Sequence, residues 1–150
     1  MRDPEEAEGR VLALVLANRM DEIDRANEAF NEFAEARSLA VPTRRSINLV
    51  LDELLNNINT YAFEDGEEHE IEVRFELSSD RLSVTIADDG VPFNPFAGFP
   101  PDTALSVEER EIGGLGIHLV RNVMDEVSYS RRTDRNVVTL VKYLDDQSNK

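Results

Sequence analysis

Residues 71–88 constrain the fold most. Ile71, Val73, Phe75 and Leu77 alternate with Glu72, Arg74 and Glu76, a period of two that reads as an extended strand with one buried and one wet face. Ser78-Ser79-Asp80 turns the chain back, and Leu82, Val84 and Ile86 share one face of a hairpin partner. The same period carries Asp88 to the core side of the sheet, where an unpaired carboxylate is expensive. Asp88 therefore needs a partner, and a donor group of a ligand is one candidate. Asp89 points the other way and reads as turn chemistry.

A helix over 43–61 is the second constraint. Pro42 breaks the chain before it and Thr43 is a plausible N-cap. Ile47, Leu51, Leu54 and Ile58 form an apolar stripe that must face a core. Glu53 and Asn57 are four residues apart and stack at the edge of that stripe. A carboxylate and a carboxamide so placed can share a proton and a metal ion; a solvated helix edge is the plainer reading of the same spacing. Upstream, Val11–Ala17 is a short apolar strand, and 21–39 reads as a helix with Ile23, Ala26, Phe30 and Phe33 on its apolar face.

Beyond Asp88 the pattern collapses. Pro92, Pro95, Pro100 and Pro101 fall within 90–113, a connection long enough to be a lid, a binding loop or a passive disordered loop. Gly113-Gly114-Leu115-Gly116 then opens a helix through Ile117, Val120, Val123 and Met124, and strands over 126–132 and 136–144 close the chain. The whole of 1–150 reads as one domain, with 1–10 expected to fray.

Charge and composition narrow the chemistry. A formal net charge of −15 argues against direct nucleic-acid binding, which draws on Lys and Arg, and against an anionic membrane surface. The acidic start is unlike a signal peptide and no run is long enough to span a membrane, so a cytoplasmic protein is expected. There is no cysteine, hence no disulfide and no thiolate metal site. The only lysines are Lys142 and Lys150, so neither a P-loop nor an ordinary protein-kinase fold has the lysine it needs on the phosphates. Gly114-Leu115-Gly116 at a helix start offers free N–H groups and a positive helix end to a phosphate, but it is not a dinucleotide fingerprint, whose third glycine would fall at Leu119.

Taken in order, these motifs resemble the GHKL superfamily of ATP-binding domains, which includes gyrase, MutL and the sensor histidine kinases. The N-box looks like Glu53-Leu54-Leu55-Asn56-Asn57, the G1 box like Asp88-x-Gly90-x-Pro92, and the G2 box like Gly114-Leu115-Gly116. Within it, Glu53-x-x-x-Asn57 and Gly114-Leu115-Gly116-Ile117 followed by Met124-Asp125-Glu126-Val127 are similar to the RsbW/SpoIIAB-like anti-sigma-factor serine kinases.

The resemblance implies an α+β fold of the Bergerat type, a two-layer α/β sandwich. Its mixed, mostly antiparallel sheet would be covered by helices on one face, with an ATP lid over 91–113. It implies ATP and Mg²⁺ as ligands. Asn57 would coordinate the metal, Asp88 would accept from the adenine amino group, and Gly90 would let the chain pass close to the base. Gly114 and Gly116 would bring backbone amides to the phosphates, and Glu53 would be the general base. The implied ATP-binding set also takes in Pro92, Phe93, Gly113, Leu115 and Ile117. Two further candidates are out of register with the family: Arg110 lies upstream of the expected lid arginine, and Thr139 follows the expected last-strand threonine, where this chain has Asn136-Val137-Val138.

The implied function is a serine/threonine-protein kinase and anti-sigma factor. It would phosphorylate an antagonist protein of the STAS kind, hold a sigma factor or analogous output protein in its other complex, and form a homodimer. Two alternatives stay open, a catalytically silent ATP-binding partner switch and the detached catalytic half of a histidine kinase. Neither His69 nor His118 lies in a dimerisation helix, so histidine autophosphorylation is not expected.

Overall fold

The computed structural model of the protein describes residues 10–97 and 115–144. Among these residues eight elements follow in order: β1 (Val11–Ala17), α1 (Asp21–Ala36), α2 (Val41–Tyr61), β2 (Glu70–Leu77), β3 (Arg81–Asp88), α3 (Leu115–Val123), β4 (Glu126–Arg132) and β5 (Arg135–Tyr143). The five strands form one sheet in the order β1-β2-β3-β5-β4.

All four pairings are antiparallel, so the mixed component expected of the sheet is absent among the described residues. The connections explain this. Two helices separate β1 from β2, so the chain reverses three times between them, and tight hairpins join β2 to β3 and β4 to β5. One described helix lies between β3 and β4, which run the same way, but β5 is inserted between them.

Alternation in the sequence becomes layering in the fold. Val73, Ile86 and Val138 stand in one cross-strand row, and Phe75, Val84 and Leu140 in the next. Both rows are buried in a single apolar cluster with Ile23, Ala26 and Phe30 of α1, Leu51, Leu54 and Ile58 of α2, and Ile117 and Val120 of α3. The Phe30 and Phe75 rings lie 5.0 Å apart, and each is fully buried. Burial of such a side chain stabilises the fold by about 1.5–3 kcal/mol. Glu72, Arg74 and Glu76 stay exposed on the opposite face, which no described helix covers. No described helix is long and apolar enough to cross a membrane.

Two helix boundaries differ from the sequence expectation. Helix α1 stops at Ala36, because Ser38 takes a left-handed φ of 57° and Leu39 donates its N–H back to the Ala34 carbonyl. Helix α2 starts at Val41 with Ala40 as its extended N-cap, so Thr43 lies inside the helix and does not cap it. Pro42 sits in the first turn, where a residue needs no N–H, and it opens the helix instead of breaking the chain before it.

Candidate functional site

The site is built where β3 and β5 meet the C-terminal half of α2. Asp88 is the last residue of β3 and pairs in register with Asn136 of β5. Each is only 2% exposed. A two-residue turn at Thr133 and Asp134, both with left-handed φ (51° and 64°), sets the β5 register that brings Asn136 there.

Asp88 Oδ1 accepts hydrogen bonds from the Gly90 N–H at 2.8 Å and from Asn136 Nδ2 at 2.9 Å. Among the described residues nothing donates to Oδ2. Asn136 Nδ2 also donates to the Val91 carbonyl at 2.8 Å, while its Oδ1 accepts from the Phe93 N–H at 3.1 Å and from the Tyr129 hydroxyl at 2.5 Å. Every donor and acceptor position of this carboxamide is filled. Sequence reasoning passed over Asn136, although period two along β5 places it on the face of Val138 and Leu140, where a polar residue calls for a reason.

Thr139 does not join the site. It pairs with Thr85, one residue off the row of Val138 and Leu140, and so projects from the open face of the sheet. That removes it from the expected adenine contacts.

Above Asp88, Leu54 and Ile58 of α2, Ile86 and Val138 of the sheet, and Phe93 and Pro95 line a narrow apolar pocket with Asp88 and Asn136 at its polar end. The slot as it stands is about the size of one water, with a single carboxylate as its acceptor. Pro92 is exposed, Phe93 is half-buried and Pro95 is buried. Arg121 of α3 fixes the next residue, donating to the Phe96 carbonyl at 3.1 Å with its cation 5.5 Å from the Phe96 ring. Gly90 carries a constraint of its own: a Cβ there would overlap the carbonyl of Ala62, the group that accepts from the Val91 N–H at 2.8 Å. Its bare backbone is needed by the end of α2.

Glu53, Asn57 and Tyr61 follow one another at four-residue intervals along α2. Glu53 lies against the first turn of α3, where a Cβ on Gly116 would overlap its carboxylate. Asn57 is 4% exposed, yet no described residue hydrogen-bonds its carboxamide. The Tyr61 ring is 5.7 Å from that of Phe93. The helix thus links the α3 end of the cleft to the Asp88 end. Ile117 is buried in the core, and Leu115 opens α3. Gly113, Gly114, Arg110 and most of the 91–113 lid segment lie outside the described residues.

Among the described residues no group of three His, Asp or Glu side chains could hold a metal. Asn57 could supply one oxygen to a Mg²⁺ ion, a metal that takes few protein ligands.

Asp89 does more than turn the chain. Its Oδ1 lies 3.3 Å from His69 Nδ1, while His69 Nε2 is 2.9 Å from the Asp65 carboxylate, and the His69 ring stacks on Phe63 at 4.4 Å. The hydrogen bond to Asp65 holds the His69 pKa above its ordinary value, against a smaller lowering by desolvation. Asp65 is held below the usual carboxylate range, first by the Glu67 N–H and then by His69. His118 is exposed on α3.

Comparison with known proteins places this geometry. Residues 16–142 match the family model for the histidine kinase-like ATPase domain. The serine/threonine-protein kinase BtrW of Bordetella bronchiseptica is 34% identical over 100 residues, covering 67% of this chain and 70% of that protein. The serine-protein kinase RsbW of Bacillus pumilus is 32% identical over 105 residues, 65% of this chain and 64% of that protein. RsbW of Listeria monocytogenes is 29% identical over 105 residues, 67% of this chain and 66% of that protein. The matches thus span just under two-thirds of these RsbW proteins. Among solved structures, a blue-light activated histidine kinase of Erythrobacter litoralis superposes with a TM-score of 0.52 at 26% identity over 75% of this chain, and the match covers 34% of that protein.

Proposed function

Since the chain belongs to the histidine kinase-like ATPase domain family, we propose that it is an ATP-dependent serine/threonine-protein kinase of the RsbW type. The observation that carries the reading is the seat of Glu53. Its carboxylate lies at the first turn of α3, whose N-terminal amides suit phosphate, at the far end of the cleft from Asp88.

In this reading Asp88 Oδ2 accepts from the exocyclic amine of adenine, and the apolar slot above it widens to take the ring. The Asn57 carboxamide oxygen would hold Mg²⁺, which would supply charge neutralisation on the phosphates, a need made sharper by the scarcity of lysine. Glu53 takes the proton of a serine hydroxyl on a protein substrate. That oxygen bonds to the γ-phosphorus as the bond to the β–γ bridging oxygen breaks, and ADP leaves. Arg110, Gly113 and Gly114 are assigned to the phosphates from the sequence alone.

The substrate proposed is an antagonist protein of the STAS kind, and the alternative partner a sigma factor or analogous output protein. A homodimer would pair through β1, an apolar edge strand on which Val15 is 53% exposed.

The test is intact-mass analysis of a STAS protein encoded nearby, incubated with this protein and Mg-ATP. The expected result is gain of one phosphoryl group, stable to acid and lost in Glu53→Ala. An unmodified partner whose affinity nonetheless responds to ATP would make the chain a silent switch, and an acid-labile adduct would make it part of a histidine kinase.

A further inference from the structure

Asp88 is held by a residue to which no role has been assigned. Asn136 presents only N–H to Asp88, because its carboxamide cannot flip without breaking contacts to Asp88, Val91 and Phe93 together. Oδ1 of Asp88 is thereby committed to two donors, Gly90 N–H and Asn136 Nδ2, and the carboxylate plane is fixed. What remains for the pocket is Oδ2, an acceptor whose lone pairs lie in that fixed plane. A hydroxyl in place of the carboxamide could donate or accept and would leave that plane free to turn. The same carboxamide also ties down the Phe93 N–H, so the acceptor and one apolar wall of the pocket are set by one side chain.

We infer that Asn136, itself fixed by Tyr129, is a positioning residue that sets purine selectivity by orienting Asp88 toward a 6-amino group. The inference rests on the nucleotide-binding reading above. It predicts a selectivity effect that a merely structural role would not produce.

The experiment compares binding of ATP with that of purine riboside triphosphate, which lacks the 6-amino group, by calorimetry on the full chain. Wild type should prefer ATP by roughly 10- to 100-fold, the worth of a hydrogen bond to a charged acceptor. Asn136→Asp replaces the donor with an oxygen beside Asp88 and should bring the two affinities to within about threefold of each other, chiefly by weakening ATP. Tyr129→Phe removes one hydroxyl and should reduce the preference part of the way. An Asn136→Asp protein that binds both nucleotides more weakly but keeps the wild-type ratio overturns the inference. Should that variant not fold, an unchanged ratio in Tyr129→Phe overturns it equally. If wild type binds ATP without preference over the analogue, this inference fails while nucleotide binding stands; if it binds neither, both fail.

Discussion

The carboxylate of Glu53 occupies the space that a side chain at Gly116 would fill. Glu53 is on α2 and Gly116 in the first turn of α3, so the glycine sets how closely the acid can approach the helix that follows. A glycine that sequence logic assigns to phosphate contact is also needed to seat the proposed base.

Gly116→Ala should therefore act as a catalytic lesion. The methyl group displaces the Glu53 carboxylate, and misplacement by about 1 Å can cost on the order of 100-fold in rate. Phosphoryl-transfer kinetics should show that loss mainly in kcat, whereas calorimetry should find ATP affinity changed by less than about fivefold. Equal losses in both would mean that Gly116 serves the phosphates alone.

Asn57 should behave unlike an ordinary buried polar residue. Its carboxamide has no hydrogen bond from the described residues, so Asn57→Leu breaks none of them. Thermal stability should stay within about 1 kcal/mol of wild type, since no hydrogen bond to the described residues is lost. Mg-ATP binding should disappear. Calorimetric melting together with Mg-ATP titration reads both.

Gly90→Ala should destabilise. The added Cβ meets the backbone carbonyl of Ala62 and cannot be relieved by a rotamer change. Overpacking of this kind costs about 1–3 kcal/mol. Urea unfolding should show a lower midpoint, and nucleotide affinity should fall with it as the turn holding Asp88 shifts. A variant as stable as wild type would mean that the turn yields freely.

His69 makes stability pH-dependent in a defined direction. Its folded pKa is raised by Asp65, so its contribution is fully present below the unfolded value of about 6.5 and is lost as pH rises through the folded value. Asp65 works the other way: its folded pKa is lowered, so its contribution is present above about 3.9 and is lost as pH falls through the folded value. Melting temperatures at pH 6 and pH 8 should fall on the alkaline side more in wild type than in His69→Gln. Parallel pH profiles for the two proteins would remove His69 as the cause.

How much of this was legible in the sequence depends on the range of the interaction. The β2–β3 hairpin and the inward Asp88 follow from strict alternation, a local signal. Asn136 obeys the same alternation and could have been found by counting back from Leu140 and Val138; Thr139 was sought by residue type, and its odd position puts it on the other face. Pro42 reads as a breaker in the sequence because a proline at the first turn and one before a helix look alike without the φ/ψ values around it. The approach of Glu53 to Gly116 was out of reach, because it depends on how two helices separated by the β2–β3 hairpin lie against each other.

The last strand in the chain is not at the edge of the sheet but between β3 and β4. Asp88 and Asn136 are 48 residues apart. A nascent chain that has emerged only through β4 exposes an unpaired β3 edge, with the Asp88 carboxylate lacking its Asn136 donor. Ribosomal synthesis must therefore run almost to Tyr143 before the pocket can exist, and a late, non-local pairing of this kind makes folding slow and exposes it to aggregation. A truncation that removes β5 should abolish the nucleotide pocket and the central strand together, instead of trimming a dispensable tail.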